Sequence, residues 1–334
     1  ITDVYRKMVL SRKLDDKMLI LLKQGKSFFH IGASGHEAAQ LAAAEMIKPG
    51  QDWSFPYYRD GAYCIGLGMT AREQLLSFLA KADDPNSGGR QMPQHYGHKG
   101  LRIVSQSSPT GTQFLQAVGC AMACKMEKKK DVVYVSSGEG TTSQGDFHEA
   151  LNWASNAKAP VIFHIQDNEY AISTHRSQQT AGSIYNMTSG YSNLSRYDVD
   201  GTDFFETNLA FKEAVQRARK EKGPSVIISH VVRLLPHSSS DDQRKYREEK
   251  ALSEDLKKDP LSILESRCID ENFIKSDEFE KIRTQVDRQI FEDAEWAEKQ
   301  EHPDASTALD HIYSNEEALE EPNPNPISEK IVIV

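Results

Sequence analysis

The sequence has little cysteine, no long apolar run and no excess of positive charge. Its 334 residues include only four cysteines, Cys64, Cys120, Cys124 and Cys268, whose spacing matches neither a zinc knuckle nor a disulfide framework. No apolar run approaches the roughly 20 residues of a membrane-spanning helix, so no membrane association is predicted. Asp and Glu number 49 against 40 Lys and Arg, for a net charge of −9. This balance disfavours nucleic acid as a partner.

The chain begins at Ile1 rather than at a methionine, so we expect that a leading segment has been removed. The low cysteine content fits a reducing compartment. The expected location is therefore the cytoplasm for a bacterial chain, and the mitochondrial matrix for a eukaryotic one.

Apolar periodicity predicts an α/β fold for most of the chain. The predicted elements are a helix over 2–25, mainly loops over 26–99, a helix over 113–126, a strand over 132–135, a helix over 145–156, and strands over 160–165 and 226–232. A strand, helix and strand in succession predict a right-handed parallel crossover. Beyond Pro260 the pattern becomes charged and helical.

The carboxyl-terminal part has a different composition. An apolar stripe from Phe279 to Ala297 predicts a long amphipathic helix. A linker with prolines at 322, 324 and 326 precedes the apolar run Ile331–Val334. We expect a main domain over 1–265, a helical extension over 266–318, an acidic proline-rich linker over 319–330 and, from 331 to 334, the first strand of a fused following domain.

Two polar residues follow the predicted neighbouring strands. Glu139, between Gly138 and Gly140, follows the first strand, and Asn168 follows the next. Because ligands collect at the carboxyl ends of parallel strands, these side chains should meet in one crevice. Carboxylate and amide oxygens, with a main-chain carbonyl such as that of Tyr170, suit Mg²⁺, and the glycines allow a diphosphate to approach the backbone.

Taken alone, a Gly-Glu-Gly turn after a strand needs no ligand. A dinucleotide-binding fingerprint would require a third glycine at position 143, which is a serine. The pairing with the later Asn168 is what makes the pattern informative.

The runs Gly138-Glu139-Gly140 through Ala150 and Asp167-Asn168-Glu169-Tyr170-Ala171-Ile172-Ser173 resemble the alpha subunit of thiamine-diphosphate-dependent 2-oxo acid dehydrogenases. Glu139, where the general thiamine pattern has Asp, is similar to the branched-chain members of that family. The resemblance implies a thiamine-diphosphate-binding fold with a mostly parallel sheet flanked by helices, plus a helical carboxyl-terminal extension.

Further segments resemble the same family in the same order. Tyr58-Arg59-Asp60-Gly61 is similar to the segment whose arginine grips the cofactor diphosphate, and the run 90–97 contains the Gln-Met-Pro of the branched-chain members. The run 107–113 is similar to a segment that lines the aminopyrimidine pocket and binds K⁺. The resemblance implies Ser108 and Thr110 at the cofactor. The implied potassium ligands are Ser107, Pro109, Thr112 and Gln113.

The segment from Arg233 to Asp242 follows a predicted strand. Without a precedent, a lone histidine in such a loop is more often solvated than catalytic. His237-Ser-Ser-Ser-Asp241-Asp, however, resembles the family's hallmark loop. That resemblance implies that His237 binds the cofactor phosphate and serves proton transfer, that Arg233 and Asp241 organise the loop, and that Ser238 occupies the position phosphorylated in animal relatives.

One departure from the family pattern affects the diphosphate. Gln166 stands where many members have arginine, and the run 179–182 also lacks one, so Arg59 and His237 gain importance. Several other residues have a structural interpretation: Cys120 and Cys124 as packed helix residues, and His148 as part of a helix start. His30 and His36 either shape the substrate entrance or are merely polar.

The resemblance implies oxidative decarboxylation of a branched-chain 2-oxo acid of the 2-oxoisovalerate type and reductive acylation of a lipoyl carrier. The implied partners are a beta-type subunit or fused beta domain and a lipoyl-bearing dihydrolipoamide acyltransferase. The alternatives are a pyruvate or acetoin dehydrogenase alpha subunit, and a non-catalytic assembly subunit that retains the fold.

Overall fold

A five-stranded parallel sheet organises the chain, whose computed structural model describes residues 1–312. The strand order is β1-β2-β3-β7-β6, and a separate antiparallel pair joins β4 to β5. The strands are β1 (Trp53–Phe55), β2 (Val133–Gly138), β3 (Val161–Asp167), β4 (Tyr170–Ala171), β5 (Thr174–His175), β6 (Ser195–Asp200) and β7 (Ser225–His230).

Helices cover both faces of this sheet. The α-helices of residues 1–312 are α1 (Thr2–Lys23), α2 (Glu37–Ala44), α3 (Gly61–Leu67), α4 (Ala71–Phe78), α5 (Thr112–Met126), α6 (Gly145–Ala157), α7 (Ile184–Met187), α8 (Phe204–Arg219), α9 (Glu249–Leu256), α10 (Pro260–Asp270) and α11 (Ser276–Glu298). Helices α5 and α6 pack on one face, and α2, α3 and α8 pack on the other. Every residue of β3 is therefore buried, as expected for a parallel strand between two helical layers.

The predicted crossover is confirmed, with β2, α6 and β3 in succession and β2 parallel to β3. The helices predicted over 2–25, 113–126 and 145–156 correspond to α1, α5 and α6. The strand predicted over 226–232 corresponds to β7.

Most of the segment 26–99 lies outside helices and strands, as predicted, but it also contains α2, α3, α4 and the edge strand β1, which were not predicted. All eight residues of α2 are buried. A helix buried on every side has no polar face, so it lacks the periodicity by which an amphipathic helix is recognised. Helix α3 contains Gly61 and Gly66, which lower its intrinsic helix propensity. A Cβ on Gly66 would lie 2.4 Å from the Cβ of Ala44, so glycine permits α2 and α3 to pack closely.

The predicted long helix is α11, and its apolar stripe from Phe279 to Ala297 is buried. The stripe packs into the same core as α1, α4 and α10. The proposed boundary between 265 and 266 falls within α10, and the division into domains stays a proposal. Residues 313–318 of the expected extension, the linker 319–330 and the run 331–334 lie outside the described residues.

Candidate active site

A cavity of about 260 Å³ opens at the carboxyl ends of β2 and β3. Because Gly138 pairs with Gln166 across these strands, the residues that follow each strand come together, as the sequence predicts. The cavity is lined by Tyr57, Tyr58, Arg59, Thr110, Gly138, Glu139, Gly140, Thr141, Asn168, Tyr170, Ala171, Ile172 and His237.

Glu139 lies at the base of this cavity and is only 1% exposed. Its Oε2 accepts a hydrogen bond of 3.3 Å from the backbone N–H of Asn168, whereas its Oε1 has no partner among the described residues. Burial, and then the nearby Asp167 carboxylate, raise the pKa of Glu139 to about 7. A buried carboxylate oxygen without a donor is unfavourable unless a cation or a proton compensates for it. The arrangement therefore suits a cation.

Asn168 and Tyr170 supply further oxygens beside Glu139. The amide Oδ1 of Asn168 accepts from the Tyr170 N–H at 3.3 Å. Between and after them, Glu169 and Ile172 adopt positive φ angles of 70° and 57°. This conformation is unusual for a β-branched residue such as Ile172. The Ile172 carbonyl accepts from the guanidinium of Arg233 at 3.1 Å, which helps to hold the strained turn.

The turn after β2 lies very close to the chain that follows Asn168. A Cβ on Gly140 would lie 2.6 Å from the Cβ of Ala171, so a larger residue would separate the two segments. The side chain of Gln179 adds a hydrogen bond of 2.8 Å to the Gly140 carbonyl. Glycine is thus required here by close packing.

Arg59 and His237 lie next to each other in the wall of the cavity. Arg59 is 2% exposed and donates to the carbonyl of Gly32 at 2.7 Å and to the carbonyl of His237 at 3.2 Å. Its Nη2 also lies 3.3 Å from Nδ1 of His237. Because a guanidinium can only donate, this contact makes Nδ1 the acceptor and leaves the proton of a neutral imidazole on Nε2.

His237 is neutral at ordinary pH. Burial, then the charges of Arg59 and Arg233, lower its pKa to about 4. The ring can therefore donate one hydrogen bond through Nε2 without a positive charge. Among the described residues that line this cavity, Arg59 alone carries a positive charge at neutral pH.

Arg233 does not line the cavity but lies behind it. Its guanidinium donates to the carbonyl of Tyr170 at 3.4 Å and to the hydroxyl of Tyr246 at 2.7 Å. The Tyr246 hydroxyl in turn donates to Asp241 at 2.5 Å, and Asp241 accepts from the backbone N–H of His237 at 2.8 Å. Arg233 and Asp241 thus lie in one network that holds the backbone at His237.

The segment expected to bind the aminopyrimidine and K⁺ lies at one side of the cavity. Thr110 lines it, but Ser108 does not; the Ser108 hydroxyl is instead 3.1 Å from Nε2 of His95. Gln113 is buried, and its amide oxygen accepts from the backbone N–H of Gly111 at 3.1 Å. The other residues expected to bind K⁺ are Ser107, Pro109 and Thr112, and none of them lines the cavity.

Ser238, next to His237, is only 8% exposed, and its hydroxyl lies 3.1 Å from that of Ser240. His30 and His36 are also buried rather than solvated. Cys120 and Cys124 are free thiols, and His148 lies in α6 outside the cavity.

Several residues of the site were not predicted from sequence. Tyr57, Thr141, Ala171 and Ile172 line the cavity, and each lies within two positions of a predicted site residue. Arg176 forms an ion pair with Asp167, and no pattern in the sequence marks that pair.

Within residues 1–312, no group of three or more His, Cys, Asp or Glu side chains is arranged to hold a metal ion. No helix in this range is both long enough and apolar enough to cross a bilayer.

Comparison with known proteins identifies the family. Residues 5–306 match the family model described as dehydrogenase E1 component. The chain belongs to this E1 family. The family is thiamine-diphosphate-dependent, and the predicted membership and fold class are confirmed.

Three relatives show how this E1 chain compares with individual proteins. It is 43% identical over 314 residues to the 2-oxoisovalerate dehydrogenase subunit alpha of Bacillus subtilis, which covers 93% of this chain and 94% of the relative. It is 36% identical over 262 residues to a pyruvate dehydrogenase E1 component subunit alpha of Staphylococcus aureus, a match that covers 78% of this chain and 68% of the relative. A mitochondrial 2-oxoisovalerate dehydrogenase subunit alpha 2 of Arabidopsis thaliana is 33% identical over 312 residues, a match that covers 93% of this chain and 66% of the relative.

Proposed function

We propose that this chain is the alpha part of a decarboxylating dehydrogenase that acts on a branched-chain 2-oxo acid of the 2-oxoisovalerate type and passes the acyl group to a lipoyl carrier. The observation that carries the proposal is the buried Glu139 carboxylate, which has an unpartnered oxygen beside Asn168 at the ends of two parallel strands. The Bacillus subtilis relative supports the branched-chain substrate.

Mg²⁺ is the proposed cation at Glu139. The Glu139 carboxylate, the Asn168 amide oxygen and the Tyr170 carbonyl are oxygen ligands of the type that Mg²⁺ prefers, and a diphosphate would complete its coordination. A divalent cation would also compensate for the buried charge of Glu139, which protein donors satisfy only in part.

Thiamine diphosphate is the proposed organic cofactor, and it supplies the electron sink for decarboxylation when bound. Arg59 would bind the diphosphate through its charge, Gly138 and Gly140 would allow the phosphate to approach the backbone, and Tyr58 and Thr110 would contact the cofactor from the walls. His237 would donate from Nε2 to a phosphate oxygen or to a reacting group. Arg233 would act from behind the cavity, by holding the backbone of Tyr170.

The potassium site at Ser107, Pro109, Thr112 and Gln113 also remains a proposal. Gln113 is buried, and its amide nitrogen donates to the carbonyl of Ser136. These contacts would hold the Gln113 side chain in a fixed position at such a site. Its function would be to hold the 107–113 segment beside the cofactor ring.

The proposed partners are a beta-type subunit or domain, which completes the active site, and a lipoyl-bearing dihydrolipoamide acyltransferase, which accepts the acyl group. The family and the Bacillus subtilis relative support an assembly of this kind. The proposed compartment is the cytoplasm for a bacterial chain and the mitochondrial matrix for a eukaryotic one, as in the plant relative.

Steady-state turnover with the cognate beta part and acyltransferase tests this function. We expect kcat/KM for 2-oxoisovalerate to exceed that for pyruvate and for 2-oxoglutarate. A preference for pyruvate would replace the branched-chain assignment with a pyruvate dehydrogenase one, which the Staphylococcus aureus relative supports. If the assembled chain bound no thiamine diphosphate in the presence of Mg²⁺, the result would indicate a non-catalytic assembly subunit.

A further inference from the structure

His36 lies directly behind the proposed metal site and has no exposed surface. It immediately precedes α2, in the loop next to the end of β7. Its Nε2 is 3.4 Å from the amide nitrogen Nδ2 of Asn168, and its Nδ1 is 2.8 Å from Oε1 of Gln166. His36 therefore connects the side chain of Asn168 to a second buried amide.

The direction of these hydrogen bonds is set by backbone groups. The side-chain oxygen of Gln40 accepts from the backbone N–H groups of Ala62 and Tyr63, at 3.1 and 3.3 Å. These groups can only donate, so the orientation of the Gln40 amide is fixed. Its Nε2 must then donate, to the carbonyl of Arg59 at 3.0 Å and to Oε1 of Gln166 at 2.9 Å.

The orientation of Gln166 follows from that of Gln40. With Oε1 of Gln166 as the acceptor, its Nε2 is directed toward Asp60, whose Oδ1 accepts at 2.6 Å. His36 must therefore donate from Nδ1 to Gln166. The Tyr170 backbone N–H can only donate, and it bonds to Oδ1 of Asn168, so the Asn168 N–H₂ is the group that faces Nε2 of His36. Nε2 must therefore be the unprotonated nitrogen of the ring, which carries a lone pair.

A lone pair on Nε2 can only accept, and the group that faces it on Asn168 is the amide N–H. The Asn168 amide oxygen therefore faces away from His36 and accepts from the Tyr170 N–H. Rotating the amide by 180° would place its oxygen against the His36 lone pair and its N–H₂ against the Tyr170 N–H. Both contacts would then be repulsive.

We propose that His36 is a positioning residue, held by Gln166 and Gln40, that fixes the Asn168 amide so that its oxygen rather than its nitrogen is presented to the metal. The inference rests on the proposed metal site at Glu139 and Asn168. It gives a specific function to Gln166, the position at which the sequence departs from the arginine found in many family members.

The test compares Mg²⁺ affinities at saturating thiamine diphosphate, measured by calorimetric titration of the full chain assembled with its beta part. His36→Phe keeps a ring of similar size but removes both nitrogens, and we expect Mg²⁺ to bind about 10–100-fold more weakly, as is usual when the partner of a metal ligand is lost. His36→Gln can both donate and accept, and we expect it to recover most of that affinity.

His164→Phe is the matched control. His164 is also fully buried, lies on β3 two residues before Gln166, and contacts Tyr134 and Ser229 rather than Asn168. We expect this change to lower the unfolding midpoint without changing the Mg²⁺ affinity. An equal loss of Mg²⁺ affinity in His164→Phe would overturn the proposal, because the effect would then be one of general stability.

A second background separates orientation from packing. Asn168→Asp replaces the amide with two equivalent oxygens, so its rotation no longer matters. In this background we expect His36→Phe to cause no further loss of Mg²⁺ affinity. The function of His36 would be overturned if His36→Phe weakened Mg²⁺ binding as much in the Asn168→Asp variant as in the wild type. It would also be overturned if His36→Phe alone kept wild-type affinity. Either result would leave the metal site intact. Failure of the wild-type assembly to bind Mg²⁺ and thiamine diphosphate would instead overturn the proposed function, and the inference with it.

Discussion

At the scale of single residues, the site combines one buried acid with one neutral histidine. Glu139 presents an unpartnered oxygen, and His237 is held by Arg59 in the form that donates from Nε2. The unpartnered oxygen of Glu139 and the neutral form of His237 both arise from burial and from a small number of directional contacts. Each can be tested by a single substitution.

Glu139→Gln is expected to abolish Mg²⁺-dependent binding of thiamine diphosphate. The change preserves size, but it removes the negative charge that would hold the cation. Folding should be retained, because the side chain accepts a single hydrogen bond, of 3.3 Å, from the described residues. Cofactor titration with and without Mg²⁺, together with circular dichroism, measures both effects. Unchanged cofactor affinity in Mg²⁺ would show that the metal site has been assigned wrongly.

His237→Ala is expected to lower lipoyl-linked turnover by about 10²–10⁴-fold, the usual contribution of a positioned proton donor or acceptor. Its partly exposed loop position should leave folding intact. The matched control is His148→Ala, since His148 is a partly exposed histidine outside the cavity. Turnover close to wild type in His237→Ala would remove this residue from the proposed chemistry.

At the scale of secondary-structure elements, the carboxyl end of α11 is held by a buried lysine. Lys81, just after α4, is 4% exposed, and its Nζ donates to the carbonyls of Glu298 and Gln300 at 3.1 and 2.7 Å. These carbonyls lie at the end of α11, where no intrahelical donor is available. The amine therefore caps this helix.

Lys81→Met should detach this end of α11. Removing the donor takes a hydrogen-bond partner away from the carbonyls of two half-buried residues, which costs about 0.5–1.5 kcal/mol. We expect hydrogen exchange to become faster in the last turn of α11, with no change in β2 and β3. Lys99→Met, at an exposed lysine, is the control. Unchanged exchange in α11 would mean that its packing on α1 and α4 is sufficient to hold it.

Which elements could be predicted depended on how each is buried. Helix α11 has one buried and one solvated face, and α5, β2, α6 and β3 follow one another with short connections, so their patterns indicated them. Helix α2 is buried on all sides, and β1 has only three residues, so neither has a period to detect. Strand β6 is predominantly polar and only one of its residues is buried, and no prediction was made for it.

At the scale of the whole molecule, buried ionisable groups couple stability to pH. His164 is enclosed between Tyr134, Ser229 and Phe211, and burial lowers its pKa to about 3. Between pH 6.5 and about 3, the unfolded chain binds a proton at this residue that the folded chain does not. The contribution of His164 to stability is therefore complete above pH 6.5 and decreases as the pH falls.

The stability difference between wild type and His164→Phe should accordingly depend on pH. We expect the free energy of unfolding of the wild type, relative to the variant, to be about 2 kcal/mol lower at pH 5 than at pH 7, from one proton bound on unfolding. Urea unfolding at several pH values measures this difference. A pH-independent difference would mean that His164 titrates normally in the folded chain.

The part of the site that sequence could predict is the part that follows strands. Glu139 and Asn168 each come directly after an apolar strand, and the family resemblance added Arg59 and His237. The residues behind them could not be predicted, because His36 contacts Gln166 across 130 positions of the chain and Gln40 reaches Gln166 across 126. Such contacts depend on how α2 packs against the sheet.

The orientation of the Gln40 amide has a consequence for the interpretation of genetic variation. Gln40 is fully buried, does not line the cavity and accepts a hydrogen bond from the backbone of α3. A survey that ranks positions by their distance from the ligand would therefore class Gln40 variants as folding defects. In the arrangement described here, a Gln40 variant that folds normally would still be impaired, and extra magnesium in the growth medium would improve its phenotype. Variants that only unfold the chain would not respond to magnesium, so a supplementation screen would separate two kinds of damage that protein abundance alone confuses.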